Sequence, residues 1–304
     1  MTESDGWFAG ADDGRDALAD RVVTGSAKQP QTWPALAVET GFATDEDDYY
    51  DRLHEVTMSA TREAVEDRER ADDRQLVHAV RAMDDCGRIA NELLERFAEW
   101  AGTVDPEADV DVGYARAFDE SGFDRDVSAI ASLADRAVAL ADEAEFLREY
   151  VERQAPSVAP NLSALAGPVL AARLISLGGG LESLAKKPSG TVQVLGAEDA
   201  LFAHLRGHAP SPKHGIIYTH EAVRGTRPQD RGSASRALAG KLTIAARIDH
   251  YSGEYRPEIE AELDERIAAI QARAHDGSPE TADTGEATND VREGANDDGG
   301  EPDE

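Results

Sequence analysis

Cysteine is almost absent from this sequence, and long apolar runs are missing altogether. The single cysteine, Cys86, excludes an internal disulfide and is typical of a reducing compartment. No apolar run reaches the roughly 20 residues that a membrane-spanning helix needs. The first residues, MTESDGWFAG, have neither the basic nor the apolar region of a signal peptide. We therefore expect a soluble, cytoplasmic protein without a membrane partner.

Lysine is also scarce, with only five residues (28, 186, 187, 213 and 241) among the 31 basic ones. The 61 acidic residues give the chain a formal net charge of −30. The hydrophobic content of 40% is nevertheless enough for folded cores. An acidic, lysine-poor surface resembles that of proteins that work in molar intracellular salt. The composition therefore predicts a halophilic protein, and an ordinary acidic protein is the alternative.

Motifs for catalysis and metal binding are absent as well. The chain has no phosphate loop, no H-E-x-x-H and no G-x-S-x-G, and no predicted strand precedes Gly178-Gly179-Gly180. A methyl-donor fold would need a glycine-rich turn between a strand and a helix. His204 and His208 lie one helical turn apart, but they have no cysteine partner and are better interpreted as a surface pair. We expect no active site and no metal site in this chain.

Two long helical patterns dominate the first half of the chain. Apolar residues alternate steps of four and three over 71–101 and again over 124–154, which is the heptad pattern of helices that wrap around each other. We call these two rows the seams: Leu76, Val80, Met83, Gly87, Ala90, Leu94, Phe97, Ala101; and Val127, Ile130, Leu133, Ala137, Leu140, Ala144, Leu147, Val151. The spacing predicts an antiparallel coiled-coil hairpin over residues 71–154.

The remaining periodicity predicts an all-α fold with five parts. Residues 1–70 form a reduced N-terminal region, and the hairpin follows. Pro156 and Pro160 then end the second arm, and residues 155–256 form a compact helical domain. A further amphipathic helix covers 257–275. The acidic tail, 276–304, cannot bury apolar area and is predicted to be disordered.

Positive charge prevails only in residues 155–256, where 12 basic residues face 7 acidic ones. Five of the basic residues fall within eighteen positions, and we call them the basic cluster: Arg224, Arg227, Arg231, Arg236 and Lys241. A basic loop that enters a helix suits phosphates, and guanidinium groups also stack on unpaired bases. The cluster predicts an anionic partner such as RNA. A basic face that merely balances its acidic surroundings is the alternative.

Several separate motifs of the same region occur together and in order. They are Ala159-Pro160-Asn161-Leu162, Ala172-Arg173-Leu174-Ile175, Leu184-Ala185-Lys186, Leu195-Gly196-Ala197-Glu198, Pro212-Lys213-His214-Gly215-Ile216-Ile217-Tyr218 and Ala245-Ala246-Arg247-Ile248-Asp249. This series resembles the Nop domain. The archaeal single-chain members of that family are scaffolds of the box C/D ribonucleoprotein (RNP). Together with the acidic, lysine-poor composition, the resemblance implies a haloarchaeal source.

The resemblance implies a set of partners for a chain without its own chemistry. Fibrillarin would bind the N-terminal region and carry out guide-directed ribose methylation with S-adenosylmethionine, so no cofactor is expected here. A kink-turn-binding ribosomal-type protein, the box C/D guide RNA and target rRNA or tRNA complete the set. In the family the hairpin also joins two protomers, which assigns dimerisation to Leu94, Phe97, Leu140 and Leu147. A hairpin that packs only on its own chain is the alternative.

The resemblance also assigns RNP-binding residues. Besides the basic cluster they are Lys186, Gly196, Ala197, Glu198, Lys213 and Arg247. Asp199, Ala203 and Ser233 stand where the family usually has basic residues, and these departures remove positive charge from the expected RNA face. Counterion release contributes less to binding at high salt, which fits this loss. A splicing-factor-like relative and a methyltransferase in its own right are the alternative functions.

Overall fold

The computed structural model describes residues 6–9, 14–27, 29 and 31–276 of the chain. All regular structure in these residues is helical and none of it is strand, so the predicted all-α fold class is confirmed. The predicted disordered tail, 276–304, lies outside the described residues except for Asp276, which ends the last helix. The same holds for the first five residues of the predicted N-terminal region.

Three helices form the described part of the N-terminal region: α1 (Arg15–Thr24), α2 (Trp33–Glu39) and α3 (Glu46–Arg70). Asp45 begins α3, because its carboxylate accepts a hydrogen bond of 2.8 Å from the Asp48 amide and so satisfies a free N–H of the first turn. Aromatic side chains supply much of the small core, with Phe8 stacked on Phe42 at 5.1 Å between ring centres and Tyr49 edge-on to Phe8. Edge-to-face and offset pairs of this kind add to the stability that burial gives.

The hairpin consists of α4 (Asp72–Ala101) and α6 (Ser128–Val158), with the short helix α5 (Val112–Ala117) in the connection. Phe97, near the end of α4, shares a core with Val127 and Ile130 at the start of α6. At the opposite end of the hairpin, Leu76 and Val80 pack in one core with residues from the end of α6. The two helices are therefore antiparallel. Their coiling around each other stays a prediction.

Eight α-helices follow the hairpin in the described residues, besides one turn of 3-10 helix at Ile216–Thr219. They are α7 (Pro160–Ala166), α8 (Pro168–Gly178), α9 (Leu181–Lys186), α10 (Ser189–Val194), α11 (Glu198–Leu205), α12 (Glu221–Arg224), α13 (Arg231–Tyr251) and α14 (Glu258–Asp276). Pro156 lies inside α6, which continues to Val158, because a proline in the last turn removes only one helical hydrogen bond. Gly167, at a φ of 77°, separates α7 from α8.

One core joins these helices to the base of the hairpin. Leu162, Leu174, Leu238 and Leu242 are its fully buried centre, and Leu76 and Val151 of the hairpin belong to the same cluster. The last helix, α14, also takes part through a buried row: Ile259, Leu263, Ile267 and Ile270. The domain after the hairpin therefore rests on both the hairpin and the C-terminal helix.

Within the described ranges, no single helix is long and apolar enough to cross a membrane. Helices α7 and α8 meet the length and composition criteria together, but they bend by 117° at their junction.

Candidate nucleic-acid interface

A buried hydrogen-bond network fixes the frame on which the candidate site is built. The carboxylate of Asp249, near the end of α13, accepts bonds from the backbone N–H groups of Asn161 and Leu162 at 3.0 and 2.8 Å. It thereby satisfies free amides of the first turn of α7 from another part of the chain. The Asn161 side chain donates to Asp249 and to the carbonyl of Glu254, and accepts from the Arg256 amide. Burial raises the pKa of Asp249 against the effect of these bonds.

The Gly196-Ala197-Glu198 turn places α11 at the edge of the domain. Gly196 has a φ of +79°, and a β-carbon there would lie 3.3 Å from that of Ile216, so both conformation and space favour glycine. The Glu198 carboxylate accepts a bond of 2.9 Å from the Gly196 amide and closes the turn. The structure thus gives Gly196 and Glu198 a definite local role, and Ala197 immediately precedes the helix.

Helix α11 itself is unusual because none of its eight residues is buried. Two large apolar side chains are turned to solvent, with Phe202 58% and Leu205 71% exposed. Phe202 and Leu205 were not predicted as site residues. Two large apolar side chains on one short helix are visible in the sequence, but their exposure depends on the tertiary structure, in which no described element buries them.

A ring stack connects the basic cluster to the Lys213-His214 motif. The rings of His214 and Tyr218 are stacked at 4.5 Å, with 21° between their planes. The Arg231 guanidinium lies 5.3 Å from the centre of the Tyr218 ring, within range of a cation–π contact. Burial lowers the pKa of His214, and the nearby charges of Arg231 and Lys213 add to this effect. His214 and Tyr218 were not predicted as site residues.

Arg231 also holds the loop before α13. Its Nε donates to the carbonyl of Thr226 at 3.0 Å, and another nitrogen donates to the carbonyl of Arg224 at 3.3 Å. Its guanidinium is therefore positioned by backbone acceptors and by the Tyr218 ring together. A side chain fixed in this way pays little entropy when it binds a further acceptor.

The other members of the basic cluster differ in how their charge is used. Arg227 pairs with Asp230, and Arg224 pairs with Glu221 at 3.2 Å on the exposed surface. Lys241 pairs with Glu262 of α14, and its side chain is only 23% exposed. Lys241 therefore joins two helices, and its charge is largely compensated. Arg236 is exposed on α13, and Lys213 is exposed close to Gly232.

Lys186 and Arg247 lie together near the other end of α13. The Arg247 Nε donates to the carbonyl of Ala185 at 3.0 Å, and a second nitrogen donates to the carbonyl of Lys187 at 3.4 Å. Lys186 forms an exposed pair with Glu182 at 2.6 Å. Glu182 raises the pKa of the Lys186 ammonium group, and the nearby phenol of Tyr251 adds to this rise.

The four residues assigned to dimerisation have different environments. Phe97 is fully buried in its own chain, where it packs edge-on to Phe118 at 5.4 Å, so it supports the hairpin rather than its surface. Leu94 and Leu147 are half-buried and pack against apolar clusters of the same chain. Leu140 is also half-buried, but it belongs to none of the four apolar clusters of the described residues.

No group of three or more His, Cys, Asp or Glu side chains in the described residues is arranged to hold an ion. The geometry instead gathers exposed cations, a stacked ring pair and an exposed apolar helix on one domain. Such a combination is suited to binding phosphates, bases and a protein partner.

Comparison with known proteins agrees with this arrangement. The family model described as "Nop: snoRNA binding domain, fibrillarin" matches residues 114–269, just over half of the chain. The chain belongs to the Nop family. The matched range runs from α5 through the second arm of the hairpin into α14, so it includes every RNP-binding residue that the sequence predicted.

Curated relatives with Nop sequences come from archaea and eukaryotes. An uncharacterised NOP5 family protein of Methanocaldococcus jannaschii is 32% identical, over 77% of this chain and 66% of its own length. Nucleolar protein 58 of Scheffersomyces stipitis is 37% identical over 49% of this chain and 30% of its own length. Probable nucleolar protein 5-1 of Arabidopsis thaliana is 43% identical over 41% and 24%. The chain thus spans less than two thirds of each of these relatives.

A solved structure described as a fibrillarin/Nop5p complex shares the fold. It aligns with a TM-score of 0.50 and 24% identity, and the match covers 83% of this chain and 91% of that chain. The match covers more of the chain than residues 114–269, so the shared fold is not confined to the Nop domain.

Proposed function

We propose that this protein is a non-catalytic scaffold of a box C/D RNP, which positions fibrillarin for guide-directed ribose methylation of RNA. In this assembly the Nop domain binds the complex of a kink-turn protein and its RNA. Membership of the Nop family supports the assignment, as do the names of the relatives and of the structural neighbour. Fibrillarin, as the partner, would bind the methyl donor.

The observation that carries the proposal is the exposure of α11. Leaving two large apolar side chains in water forgoes about 1.5–3 kcal/mol for each of them. The closed turn at Gly196 and Glu198 nevertheless holds the helix in place. The apolar pair Phe202 and Leu205 is suited to contact a protein, and Lys213 and Arg236 on the same domain are suited to contact the RNA that this protein has bound.

The N-terminal region supplies the second binding surface in this proposal. A groove between α1 and α3 is lined mainly by apolar and small side chains, together with Arg68 and Glu69, and Val23 and Val65 are more than half exposed. Such an uncovered groove on a small helical unit supports the docking of fibrillarin. Helix α4 of the hairpin has 30 residues and is about 45 Å long. The hairpin would then separate fibrillarin from the kink-turn protein.

We further infer that two copies associate through the hairpin and that the assembly works in molar salt. The half-buried Leu140, which is outside the apolar clusters of its own chain, supports the first inference. The net charge of −30 and the five lysines support the second, as do Asp199, Ala203 and Ser233 at expected basic positions. A protein of this composition belongs in the cytoplasm of a cell that accumulates salt.

A double substitution of the exposed apolar pair tests the central claim. Phe202→Asp with Leu205→Asp should reduce capture by an immobilised kink-turn RNP at least tenfold, because charge would replace the apolar contact, while fibrillarin binding is retained. Phe146→Asp is the matched control, since Phe146 is 59% exposed on α6, outside the proposed surface. Undiminished capture of the folded double variant would contradict the proposal.

A methyl-donor binding assay separates the scaffold from an enzyme. The isolated chain should not bind S-adenosylmethionine, whereas the chain with fibrillarin should. Saturable binding to the chain alone would favour a methyltransferase in its own right.

A further inference from the structure

The exposed face of α13 differs in charge from the rest of the protein. Apart from Asp249, which is buried in the network described above, this 21-residue helix contains no acidic residue in a chain of net charge −30. Its solvent-facing positions recur every three or four residues, as Arg236, Gly240, Ile244, Arg247 and Tyr251. The stripe from Arg236 to Tyr251 is about 22 Å long at 1.5 Å per residue. The exposed face of α13 itself therefore carries no negative charge, and this face continues well beyond the basic cluster.

Tyr251 ends this stripe and is 68% exposed. It belongs to none of the apolar clusters of the described residues, and it forms a T-shaped contact with His250, with 4.6 Å between ring centres and 62° between planes. Such a contact covers at most one face of the Tyr251 ring and leaves the other for a ligand. Its packing within the chain thus gives little reason for a large aromatic residue at this position.

The neighbours of Tyr251 are cations in defined positions. Arg247 lies one turn earlier on the same face, and its bonds to the Ala185 and Lys187 carbonyls use two of the five N–H groups of a guanidinium. The remaining N–H groups can donate to an anion, and the two bonds already orient the planar guanidinium. Lys186 is near the Tyr251 phenol, and its ion-pair partner Glu182 is on the exposed surface, where such a pair contributes little.

We propose that Tyr251 is a stacking site for an unpaired RNA base, with Arg247 and Lys186 binding the phosphates that flank it. This inference rests on the proposed RNP function and adds a subsite to it. Stacking on an aromatic ring is sequence-tolerant and needs a base that is free of its helix. It also depends little on counterion release, so it retains its strength in the salt for which this acidic chain is suited.

RNA fits this surface better than a protein does. Tyr251 presents an exposed ring beside two neighbouring cations, which matches the repeat of base and phosphate in a single strand. An acidic protein segment could meet Arg247 and Lys186, but it carries no base to stack on the ring.

The test measures binding to two fluorescein-labelled RNAs by anisotropy in molar KCl. Both carry a kink-turn loaded with the kink-turn protein, but one has a blunt stem and the other extends into unpaired nucleotides. Tyr251→Ala should raise the Kd for the extended RNA about tenfold and leave the blunt RNA unchanged, because one stacked base is lost. Tyr251→Phe should bind both RNAs as the wild type does. Tyr50→Ala, at another exposed tyrosine on α3, is the matched control and should have no effect.

Salt dependence supplies an independent readout. Lys186→Ala should reduce the slope of log K against log salt by about one, whereas Tyr251→Ala should leave the slope unchanged. Wild-type affinity of Tyr251→Ala for both RNAs would overturn the stacking site alone. An equal loss of affinity for both RNAs in Tyr251→Ala would also overturn the stacking site. Loss of binding of this variant to the kink-turn protein without RNA would overturn it as well, because it would indicate a protein contact. Failure of the wild type to bind either RNA would overturn the proposed function together with this inference.

Discussion

Tyr218 lies between two parts of the chain that each supply positive charge. His214 stacks on it, and Arg231 reaches it from the first turn of α13, which connects the loop at 213 with the helix. A protonated imidazole at this place would be partly buried and close to both Arg231 and Lys213. The arrangement therefore favours neutral His214, and a neutral ring stacks on tyrosine without adding repulsion.

This lowered pKa gives stability a defined pH dependence. Because the folded state lowers the pKa of His214 below its ordinary value of 6.5, its contribution is present above 6.5 and is lost as the pH falls through the lowered value. His214→Phe keeps a stacking ring but cannot titrate. We expect the stability of the wild type relative to His214→Phe to decrease as the pH falls below 6.5. Urea unfolding of both proteins at constant KCl measures this, and a pH-independent difference would contradict it.

At the scale of elements, Asp73 joins three helices. It lies in the first turn of α4 and accepts bonds from Arg68 of α3 at 2.7 and 3.0 Å and from the Leu181 amide of α9 at 2.9 Å. Burial by itself would raise the pKa of Asp73, but the bonds from Arg68 and Leu181 outweigh it and lower the pKa. The Asp73 carboxylate therefore connects the N-terminal region and the hairpin to each other and, through the Leu181 amide, to the Nop domain.

Removal of this carboxylate should weaken the junction. Asp73→Ala leaves the Arg68 guanidinium and the Leu181 amide without their acceptor, which we expect to cost about 1–3 kcal/mol of the free energy of unfolding. Asp72→Ala is the matched control, since the neighbouring Asp72 is exposed in the same helical turn. The lowered pKa means that the effect should be present above 3.8 and diminish as the pH falls. Equal stability losses in the two variants would show that Asp73 acts only through the helix dipole.

At the scale of the whole molecule, charge and association are linked. Two copies of a chain with a net charge of −30 repel each other unless salt screens them, and the screening length falls from about 10 Å at 0.1 M to about 3 Å at 1 M. The proposed dimer should therefore exist in molar KCl and dissociate at low salt. Leu94 and Leu147 are poor sites for testing it, because half of each side chain packs in its own chain.

Leu140 allows a cleaner test of the dimer. Leu140→Asp should give a monomer in molar KCl with unchanged helical content, because an unpaired charge would enter the interface without leaving a hole in an intrachain cluster. Val65→Asp, an exposed apolar position on α3, should remain dimeric. Light scattering across a KCl series decides the matter: a monomeric wild type in molar salt would refute the dimer.

The local pattern of the sequence was enough to predict the fold class, the two long helices and the family of this protein. The helical class followed from apolar spacing, because one face of a helix must meet a core at every turn. The rows from Leu76 to Ala101 and from Val127 to Val151 fall on two long helices that face each other. The ordered motifs around Gly196 and Arg247 indicated the Nop family, which the family match then established.

Tertiary structure decided which of these side chains are available. Lys241 and Arg236 look alike in the sequence, yet Glu262 reaches only Lys241, from a helix 21 residues further along the chain. Phe202, Leu205 and Tyr251 would ordinarily be assigned to a core, and only the absence of a covering element within the described residues shows them as surface. The physical reason is that helix formation depends on neighbours within a turn, whereas burial and charge pairing depend on residues that the fold brings from far along the chain.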